Sequence, residues 1–397
     1  MSDSHRSDTE LLELAHAISD LDHPVKVETA QWAATHLAQR DRVDADLHAQ
    51  FAHDDWQACA ERGIHGLFVP AELGGNGASL ATALLTLEGL GQGCRDNGLV
   101  YALCSQMLST QQTLVEFASA EQQATWLTPM LRGEQLGAFA MTEPDVGSDA
   151  YTISATARRT DDGWTIDAHK AYITLASRCD FVIVFASTKP DAGRWGISAF
   201  VVPMDAPGVE RSPNRDKMGM RTTPFGDIVL RDVHVPADAL IGKAGAGASI
   251  FNAVVQFERA FVFATQVGAM ERQLGDAIAY AQQRVQGGQA IARHQVIAHR
   301  IADMKQQHET ARLFVYRAAI AMASGKATTM SAALAKIVGS DTGIELAMNA
   351  ASIGGARGYV SEFEVERDLR DAIGGLVYSG TSDIQRNIIA RLLGVGS

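Results

Sequence analysis

Hydrophobic residues between positions 8 and 138 recur at intervals of three and four residues. The spacing is clear in LATALLTLEGLGQ and in AEQQATWLTPMLRG, and it places the apolar side chains on one face of a helix. The pattern therefore predicts an α-helical N-terminal domain, which we assign to residues 1–138.

The pattern then changes to an alternation of apolar and polar positions. It is visible in DFVIVFAST, WGISAFVVPM and GDIVLRDVHVP, and turn clusters such as RTDDG and MDAPG separate these runs. Seven of the ten prolines fall between Pro144 and Pro236, as expected for a segment with many turns. We predict a small antiparallel β domain over residues 139–243.

Helical spacing returns after Pro236, and no proline follows it. The stretches FNAVVQFERAFVFATQVGAM and HQVIAHRIADMKQQHETARLFVYRAAIAMA predict long helices, and we assign residues 244–397 to a C-terminal helical bundle. Helices, then strands, then long helices predict an α+β fold that is mainly α. This order differs from the alternation of strands and helices in a Rossmann or TIM fold.

Composition excludes several classes of protein. The formal net charge of -12 and the pI near 5.4 argue against a nucleic-acid partner. The start of the chain lacks a basic segment followed by an apolar core, so we expect no secretory signal. No run of about 18 apolar residues occurs, so we expect no membrane insertion.

The four cysteines, Cys59, Cys94, Cys104 and Cys179, have neither metal-ligand spacing nor a disulfide pattern. We expect buried, reduced thiols and no metal. A cytoplasmic location is therefore expected, or an organelle matrix if a transit peptide has been removed. Neither Gly-x-Gly-x-x-Gly after a strand nor a phosphate-binding loop is present, so any dinucleotide must be held in another way.

Several motifs between Thr142 and Arg391 resemble those of one family. TEPDVGSD at Thr142, KAYITLAS at Lys170, KMGMRTTPFGDIVLRDVHVP at Lys217, ERDLRD at Glu366 and YSGTSDIQRNIIAR at Tyr378 are similar to signatures of the acyl-CoA dehydrogenase family, in the same order. The resemblance implies an FAD enzyme with an N-terminal helical domain, a central antiparallel β domain and a C-terminal four-helix bundle.

The resemblance also implies positions around the cofactor. Hydroxyl and backbone N–H groups near the flavin would stabilise charge on the reduced ring. Residues matched to the flavin ring are Phe139, Met141, Thr142, Ser148, Tyr172 and Thr174. Residues matched to the adenine, the diphosphate and the neighbouring part of FAD are Arg284, His294, Gln295, Gly355, Ala356, Thr381 and Asp383.

Three positions depart from the family pattern. Tyr172 stands where the family usually has tryptophan, Gly287 replaces an aromatic residue, and Ala356 replaces one glycine of a pair. A tyrosine preserves an aromatic wall. The other two departures suggest that adenine stacking is weaker here or is supplied by another residue.

The terminal motif lacks a catalytic base, because the position after Tyr378 is Ser379, where a carboxylate is expected. Removing an α proton from an acyl thioester requires a carboxylate, and a serine cannot do this unaided. In some members, such as isovaleryl-CoA dehydrogenase, a glutamate on the first long helix of the bundle takes this role. Glu258, which precedes Arg259 in FERAFVF, matches that glutamate.

The alternative for Glu258 is a helix-surface carboxylate paired with a lysine or arginine. Its aromatic neighbours make an exposed position less favourable, so we assign it as the base. Ser379 is interpreted as a small residue that makes room, and we expect Ser379→Ala to leave the reaction largely intact. The predicted substrate pocket comprises Ser148, Phe257, Arg259, Tyr378, Ser379 and Gly380.

Other acidic residues are assigned structural roles. Glu143, Asp145 and Asp149 belong to the TEPDVGSD loop, where capping or inter-strand hydrogen bonds are expected. A second acidic group alternates with Arg367 and Arg370 and predicts an ion-pair network. It comprises Glu362, Glu364, Glu366 and Asp371.

The leading hypothesis is FAD-dependent α,β-dehydrogenation of a short, branched or cyclic acyl thioester. The thioester arm is that of CoA or of a phosphopantetheinyl carrier protein, and isovaleryl-CoA and a carrier-bound prolyl group are both candidates. One alternative is a flavin-dependent oxidase or monooxygenase on the same fold. Another is a non-catalytic flavoprotein or assembly partner. The resemblance further implies a homotetramer and reoxidation by an electron-transferring flavoprotein.

Overall fold

The structure is a computed structural model that describes residues 3–396, with side chains from residue 8 onward. Met1, Ser2 and Ser397 lie outside the described residues, although the predicted terminal domains and the segment tested for a secretory signal include some of them. Among the described helices, none is long and apolar enough to cross a membrane.

The N-terminal third is helical, as predicted. Local caps mark several starts: the Ser79 hydroxyl accepts a hydrogen bond from the backbone N–H of Thr82 at 3.3 Å, and Asp96 accepts one from Leu99 at 3.1 Å. The helices are α1 (Asp3–Ser19), α2 (Pro24–His36), α3 (Arg42–Leu47), α4 (His53–Glu61), α5 (Leu80–Gly93), α6 (Asn97–Ser105), α7 (Gln112–Phe117), α8 (Ala120–Gln122) and α9 (Thr128–Leu131).

Two π-helical segments interrupt the α-helical pattern of this domain. The first, Gln106–Gln111, joins α6 directly to α7, and the second, Gln123–Leu127, joins α8 to α9. A π-helical turn contains more residues than an α-helical turn, and such turns occur frequently at functional sites. The first of these segments reaches the candidate active site described below.

The middle region forms an eight-stranded sheet. The path runs β6-β7-β3-β2-β4-β5-β8, and β1 lies beside β4. Most pairs are antiparallel as predicted, but β1 and β2 each pair with β4 in parallel, because the chain crosses over between them. The strands are β1 (Gly137–Ala140), β2 (Thr156–Arg159), β3 (Gly163–Thr174), β4 (Phe181–Ser187), β5 (Ile197–Pro203), β6 (Val209–Arg211), β7 (Phe225–Pro236) and β8 (Leu240–Ile241).

The C-terminal region is a helical bundle. Its longest helices pack side by side, and α13 contacts α10, α11, α12 and α15. The helices are α10 (Gly247–Phe261), α11 (Ala264–Gln283), α12 (Gln295–Ala323), α13 (Thr329–Gly354), α14 (Val365–Ile373) and α15 (Ser382–Leu392). A short hairpin, β9 (Val285–Gln286) and β10 (Gln289–Ala290), joins α11 to α12.

The first long helix of the bundle is broken, although the sequence pattern is continuous. Helix α10 ends at Phe261 and α11 starts at Ala264, and the two residues between them, Val262 and Phe263, are both buried. The ring of Phe263 packs on that of Tyr378 at 5.5 Å. The break allows these consecutive bulky side chains to be buried together, and it places Glu258 in the last turn of α10.

The N-terminal domain and the bundle are in close backbone contact. A Cβ atom at Gly91 on α5 would lie 1.8 Å from the carbonyl oxygen of Thr265, and one at Gly268 on α11 would lie 1.9 Å from that of Glu88. Only glycine permits this approach of α5 and α11. Because α10 and α11 adjoin, the contact also fixes the N-terminal domain near Glu258.

Helix α14 carries most of the predicted ion-pair network. Arg370 pairs with Glu366 and also, at 2.7 Å, with Asp46 of the N-terminal domain, while Arg367 pairs with Glu364 at 3.1 Å. Asp371 departs from the expectation. Its carboxylate accepts hydrogen bonds from the backbone N–H of Met220 and from Asn97.

Candidate active site

Glu258 has a buried carboxylate with a donor on each oxygen. The side chain is 8% exposed. Its Oε1 accepts a hydrogen bond from Ser379 Oγ at 2.6 Å, and its Oε2 accepts one from Ser109 Oγ at 2.9 Å. A surface ion pair, the alternative considered from the sequence, does not describe this environment.

Burial raises the pKa of Glu258 above its ordinary value, and the hydroxyls of Ser379 and Ser109 and the charge of Arg259 oppose this rise. The end of α10 adds a further unfavourable influence on a negative charge, because the carbonyl dipoles point toward it. A carboxylate whose pKa is raised in this way holds a proton more strongly, which suits a general base.

The loop that carries Ser379 is held by side chains around it. Ser379 has a φ of +58° and Gly380 a φ of +83°, so the loop makes a tight left-handed turn. The backbone oxygen of Ser379 accepts a hydrogen bond from Arg259 Nε at 2.8 Å, and Gln385 Nε2 donates to the oxygen of Gly380 at 3.2 Å. Arg259 therefore orients the loop rather than pairing with Glu258.

An aromatic wall adjoins the carboxylate. The ring of Tyr378 lies 4.7 Å from that of Tyr101 on α6, and the Tyr101 hydroxyl is hydrogen-bonded to Thr174 at the end of β3. On α10, the ring of Phe257 packs edge-on against that of Phe68 at 5.5 Å. Tyr101 and Phe68 were not singled out from the sequence, because nothing in the local pattern distinguishes them from ordinary core aromatics.

The TEPDVGSD loop is fixed by an internal ion pair. Lys170 Nζ lies 2.9 Å from Glu143 Oε1 and donates to the backbone oxygen of Met141 at 3.0 Å. Glu143 also accepts hydrogen bonds from the backbone N–H groups of Ser154 and Ala155. Although burial opposes ionisation, these partners hold the pKa of Glu143 below its ordinary value. The structural role expected for Glu143 agrees with these contacts.

Three of the residues matched to the flavin ring lie on β1 or in the loop that follows it. The ring of Phe139 stacks on that of Phe251 on α10 at 6.0 Å. The backbone oxygen of Thr142 accepts a hydrogen bond from Ala171 at 3.0 Å, which ties the loop to β3. Ser148 is exposed.

Tyr172 lies at an irregularity in β3. The register between β3 and β7 shifts between Lys170 and Ile173, and Tyr172 has a φ of +61°. As a result its ring is 51% exposed, with the Arg215 guanidinium 4.9 Å above it. Arg215 is in turn held by Asp227 at 2.7 Å. An aromatic face is thus presented outward beside Thr174, as a flavin wall requires.

The backbone conformation explains why position 287 is a glycine. It forms, with Gly288, the two-residue turn of the β9–β10 hairpin, where their φ values are +60° and +79°. Such turns require positive φ at both central residues, which glycine adopts without strain. The aromatic residue expected at this position is absent because the turn favours glycine.

Arg284, His294 and Gln295 flank this hairpin. The ring of His294 contacts the backbone oxygen of Gln286 at 3.2 Å. Arg284 and Gln295 are exposed at the adjoining ends of α11 and α12. Within the described part of the chain, no side chain forms an ion pair with the Arg284 guanidinium.

Gly355 and Ala356 form an exposed turn at the end of α13. Gly355 has φ +59° and ψ -131°, a combination open to glycine. The next residue but one, Arg357, lies over the ring of Tyr280 on α11 at 5.3 Å. This contact brings the end of α13 close to the last turn of α11, near Arg284.

Thr381 and Asp383 begin α15. The Thr381 hydroxyl accepts a hydrogen bond from the backbone N–H of Ile384 at 3.3 Å, so it caps the helix. Asp383 is exposed and pairs with Arg386 at 3.2 Å. Both residues directly follow the Ser379–Gly380 turn.

The predicted residues therefore fall into two groups. One surrounds Glu258 and comprises Phe257, Arg259, Tyr378, Ser379 and Gly380, with Thr381 beside it. The second is spread over β1, the TEPDVGSD loop, β3 and the bundle ends, and its members range from the buried Met141 to the exposed Ser148 and Arg284. Ser109 was missed, and the only signal for it in the sequence is the polar run STQQT within an otherwise apolar helical pattern.

These residues fit the chemistry of FAD. An exposed guanidinium without an ion-pair partner among the side chains described from residue 8 onward suits a diphosphate, and the glycine turn permits close approach of backbone to a ligand. The outward ring of Tyr172, which follows the backbone contact between Ala171 and Thr142 and precedes Thr174 by two positions, suits the flavin. Arg284 and Gly355 would hold the diphosphate, and Tyr172 would flank the ring.

Comparison with known proteins gives the same family throughout. The chain matches the acyl-CoA dehydrogenase N-terminal domain over residues 23–134, the middle domain over 138–233 and the C-terminal domain over 245–394. It is 37% identical over 344 residues to L-prolyl-[peptidyl-carrier protein] dehydrogenase of Pseudomonas fluorescens, covering 86% of this chain and 90% of the relative.

Solved structures of similar proteins have the same fold as this chain. The prolyl acyl carrier protein oxidase AnaB matches with a TM-score of 0.91 at 36% identity, over 94% of this chain and 98% of that one. PigA, solved with FAD and proline, matches with a TM-score of 0.91 at 31% identity, over 95% of this chain and 99% of that one. The chain therefore belongs to the acyl-CoA dehydrogenase family, and is an FAD-dependent oxidoreductase that acts on the CH–CH groups of acyl thioesters.

Proposed function

We propose that this protein dehydrogenates the α,β bond of a short, branched or cyclic acyl thioester, with Glu258 as the base. The observation that carries the proposal is the position of Glu258: a buried carboxylate in contact with Ser379, the residue that replaces an acid in the terminal motif. This pair places a carboxylate at the terminal loop although the loop itself supplies none.

The reaction removes two hydrogens from the acyl group. The α proton passes to a carboxylate oxygen of Glu258, and the bound FAD supplies the acceptor for the hydride that leaves the β carbon. The two electrons of the α C–H bond form the new carbon–carbon double bond. Glu258 then holds the proton until the product leaves.

The surroundings of Glu258 favour this chemistry. The carboxylate is buried beside Tyr101 and Tyr378, and its removal from water keeps its basicity high. Arg259 does not neutralise the carboxylate directly, because its Nε is engaged by the carbonyl of Ser379. The base is therefore oriented by hydroxyls, which leave lone pairs free for the substrate proton.

A prolyl group on a carrier protein is our first candidate for the substrate. The small side chain at Ser379 leaves space near the β carbon, which suits a ring or a branch. Two similar proteins also support a prolyl substrate, since one is named a prolyl carrier-protein dehydrogenase and the other a prolyl carrier-protein oxidase. Isovaleryl-CoA is the second candidate, because CoA carries the same pantetheine arm.

The test is anaerobic mixing of the purified holoenzyme with four thioesters: prolyl and isovaleryl groups, each linked to CoA and to a carrier protein. The proposal expects the flavin absorbance to bleach fastest with carrier-bound prolyl. Faster bleaching with isovaleryl-CoA would identify isovaleryl-CoA as the preferred substrate and would still support α,β-dehydrogenation. Failure of all four to bleach a fully FAD-loaded protein would contradict the function and would favour a non-catalytic flavoprotein.

The electron acceptor is a separate question. We propose that an electron-transferring flavoprotein reoxidises the reduced FAD. Molecular oxygen is the alternative acceptor, because the similar protein AnaB is named an oxidase. Mixing the substrate-reduced enzyme with air-saturated buffer distinguishes the two. Slow reoxidation supports a protein acceptor, and rapid reoxidation with stoichiometric peroxide supports an oxidase.

We further propose a homotetramer in which a neighbouring subunit completes the FAD site. Support comes from the exposure of Arg284 and from large apolar side chains exposed on α12 and α13, namely Val296, Leu313 and Met348. Measuring the mass of the holoenzyme in solution tests this. A monomer with full FAD content would contradict it.

A further inference from the structure

The π-helical segment Gln106–Gln111 is a buried polar element in the N-terminal domain. All six residues are buried, and four of them have polar side chains. Buried polar groups need hydrogen-bond partners, so the destinations of these side chains indicate what the segment does.

Two side chains anchor the segment to β1. Gln106 Oε1 accepts a hydrogen bond from the backbone N–H of Gly137 at 3.0 Å, and Thr110 Oγ1 donates to the Gly137 oxygen at 3.2 Å. Both the backbone N–H and the backbone oxygen of Gly137 are therefore hydrogen-bonded to this segment. The anchoring fixes the segment relative to the strand that leads into the TEPDVGSD loop.

Ser109 lies between these two anchors and is 2% exposed. A buried serine in a helix commonly donates to a carbonyl four residues earlier. Ser109 instead donates to Glu258 Oε2 at 2.9 Å, across 149 positions of sequence. Because one extra residue in a turn rotates the following side chains by roughly 100°, the π-helical insertion changes which residue of this helix faces α10.

The two donors to Glu258 differ in their surroundings. Ser379 is half-buried, on a loop with positive φ, whereas Ser109 is enclosed within an anchored helix. We propose that Ser109 is a positioning residue that fixes Oε2 of Glu258, so that Oε1, on the Ser379 side, receives the substrate proton. This inference rests on the proposed role of Glu258 as the base.

The hydrogen bond from Ser109 also affects the ionisation of Glu258. A hydroxyl that donates to a carboxylate stabilises the charged form, so Ser109 lowers a pKa that burial raises. Four other titratable or charged groups face Glu258: Arg259 on its own helix, Tyr101 and Cys104 on α6, and Tyr378 before α15. Burial raises the pKa of Cys104 to about 12 and raises those of both tyrosines, so none of them titrates near neutrality.

The test compares Ser109→Ala with Ser105→Ala in the FAD-loaded enzyme. Ser105 is half-buried and lies one turn earlier in the same helix. For Ser109→Ala we expect the acid limb of the kcat/KM profile to move up by about one pH unit, with kcat/KM about tenfold lower on that limb. Substrate affinity and FAD content should stay unchanged, and Ser105→Ala should match the wild type.

A second readout does not depend on turnover. Infrared difference spectra, with Glu258→Gln used to identify the carboxyl band, follow protonation of Glu258 directly. We expect this titration in Ser109→Ala to shift upward by the same amount. Coincidence of the Ser109→Ala and Ser105→Ala titrations would overturn the positioning role, even if Glu258→Gln were inactive. Conversely, an active Glu258→Gln would reject the proposed function, whatever the infrared titration shows for the contact.

Discussion

The hydroxyl of Ser379 donates a 2.6 Å hydrogen bond to the carboxylate of Glu258, which lies 121 positions earlier in the chain. The terminal loop and the end of α10 therefore meet at one point. A carboxylate at either position would lie in nearly the same place. Two would repel each other at this distance, so a single acid is expected there.

Ser379→Ala should leave a smaller fraction of Glu258 ionised at acid pH and so slow the reaction there, in contrast to the small effect expected from the sequence. Loss of the donor to Oε1 removes stabilisation of the charged carboxylate, so the pKa of Glu258 rises further. We expect the acid limb of the kcat/KM profile to move up by about one pH unit. Ser361→Ala, at an exposed position, is the control. A profile identical to that of the control would support the interpretation of Ser379 as a small residue that only makes room in the pocket.

Asp368→Asn should destabilise the protein through a buried ion pair. Asp368 on α14 receives two hydrogen bonds from Arg272 on α11, at 2.9 and 3.0 Å. Although burial opposes ionisation, Arg272 holds the pKa of Asp368 below its ordinary value. Removing one charge leaves the other buried and unpaired, at a cost of about 3–5 kcal/mol.

Urea unfolding of Asp368→Asn measures this loss. Asp303→Asn, an exposed change on α12, should leave the free energy of unfolding unchanged. Equal stability of the two variants would contradict the importance of this ion pair.

His65→Phe should reduce the loss of stability in acid. Burial lowers the pKa of His65 to about 4, while an unfolded chain binds the proton near pH 6.5. Between these values the unfolded state binds more protons, so stability falls as pH drops from 6.5 to 4, by about 3 kcal/mol for this group. Phenylalanine preserves an aromatic ring against Trp56, 4.6 Å away, and does not titrate.

The free energy of unfolding at pH 7.5 and at pH 4.5 tests this prediction. The difference between the two pH values should be smaller in His65→Phe than in the wild type. His299→Phe, at an exposed position, should retain the full difference. An unchanged pH dependence in His65→Phe would show that His65 is not the group responsible.

Much of the fold could be predicted because its periodicities are local. The change from helical spacing to alternation and back identifies the order of the three regions, and the motifs at Thr142, Lys170 and Tyr378 identify the family. Glu258 could be assigned as a candidate because, with Arg259, it matches the helix-borne glutamate of some members of the family, and its aromatic neighbours in FERAFVF make an exposed position less favourable.

Other features depend on contacts between distant parts of the chain. The hydrogen bond from Ser109 to Glu258 spans 149 positions, and neither the π-helical segment nor its anchoring on Gly137 follows from local spacing. The break after Phe261 and the register shift at Tyr172 similarly depend on packing in three dimensions. Such departures from regular geometry occur around the candidate site.

In the proposed reaction Glu258 removes the substrate proton. The most direct measurement is anaerobic flavin bleaching by the preferred acyl thioester in Glu258→Gln, with Glu345→Gln, an exposed change on α13, as the control. Both variants should bind FAD fully, and the control should bleach like the wild type. We expect no bleaching in Glu258→Gln, and bleaching at a near-wild-type rate in that variant would show that Glu258 is not the base.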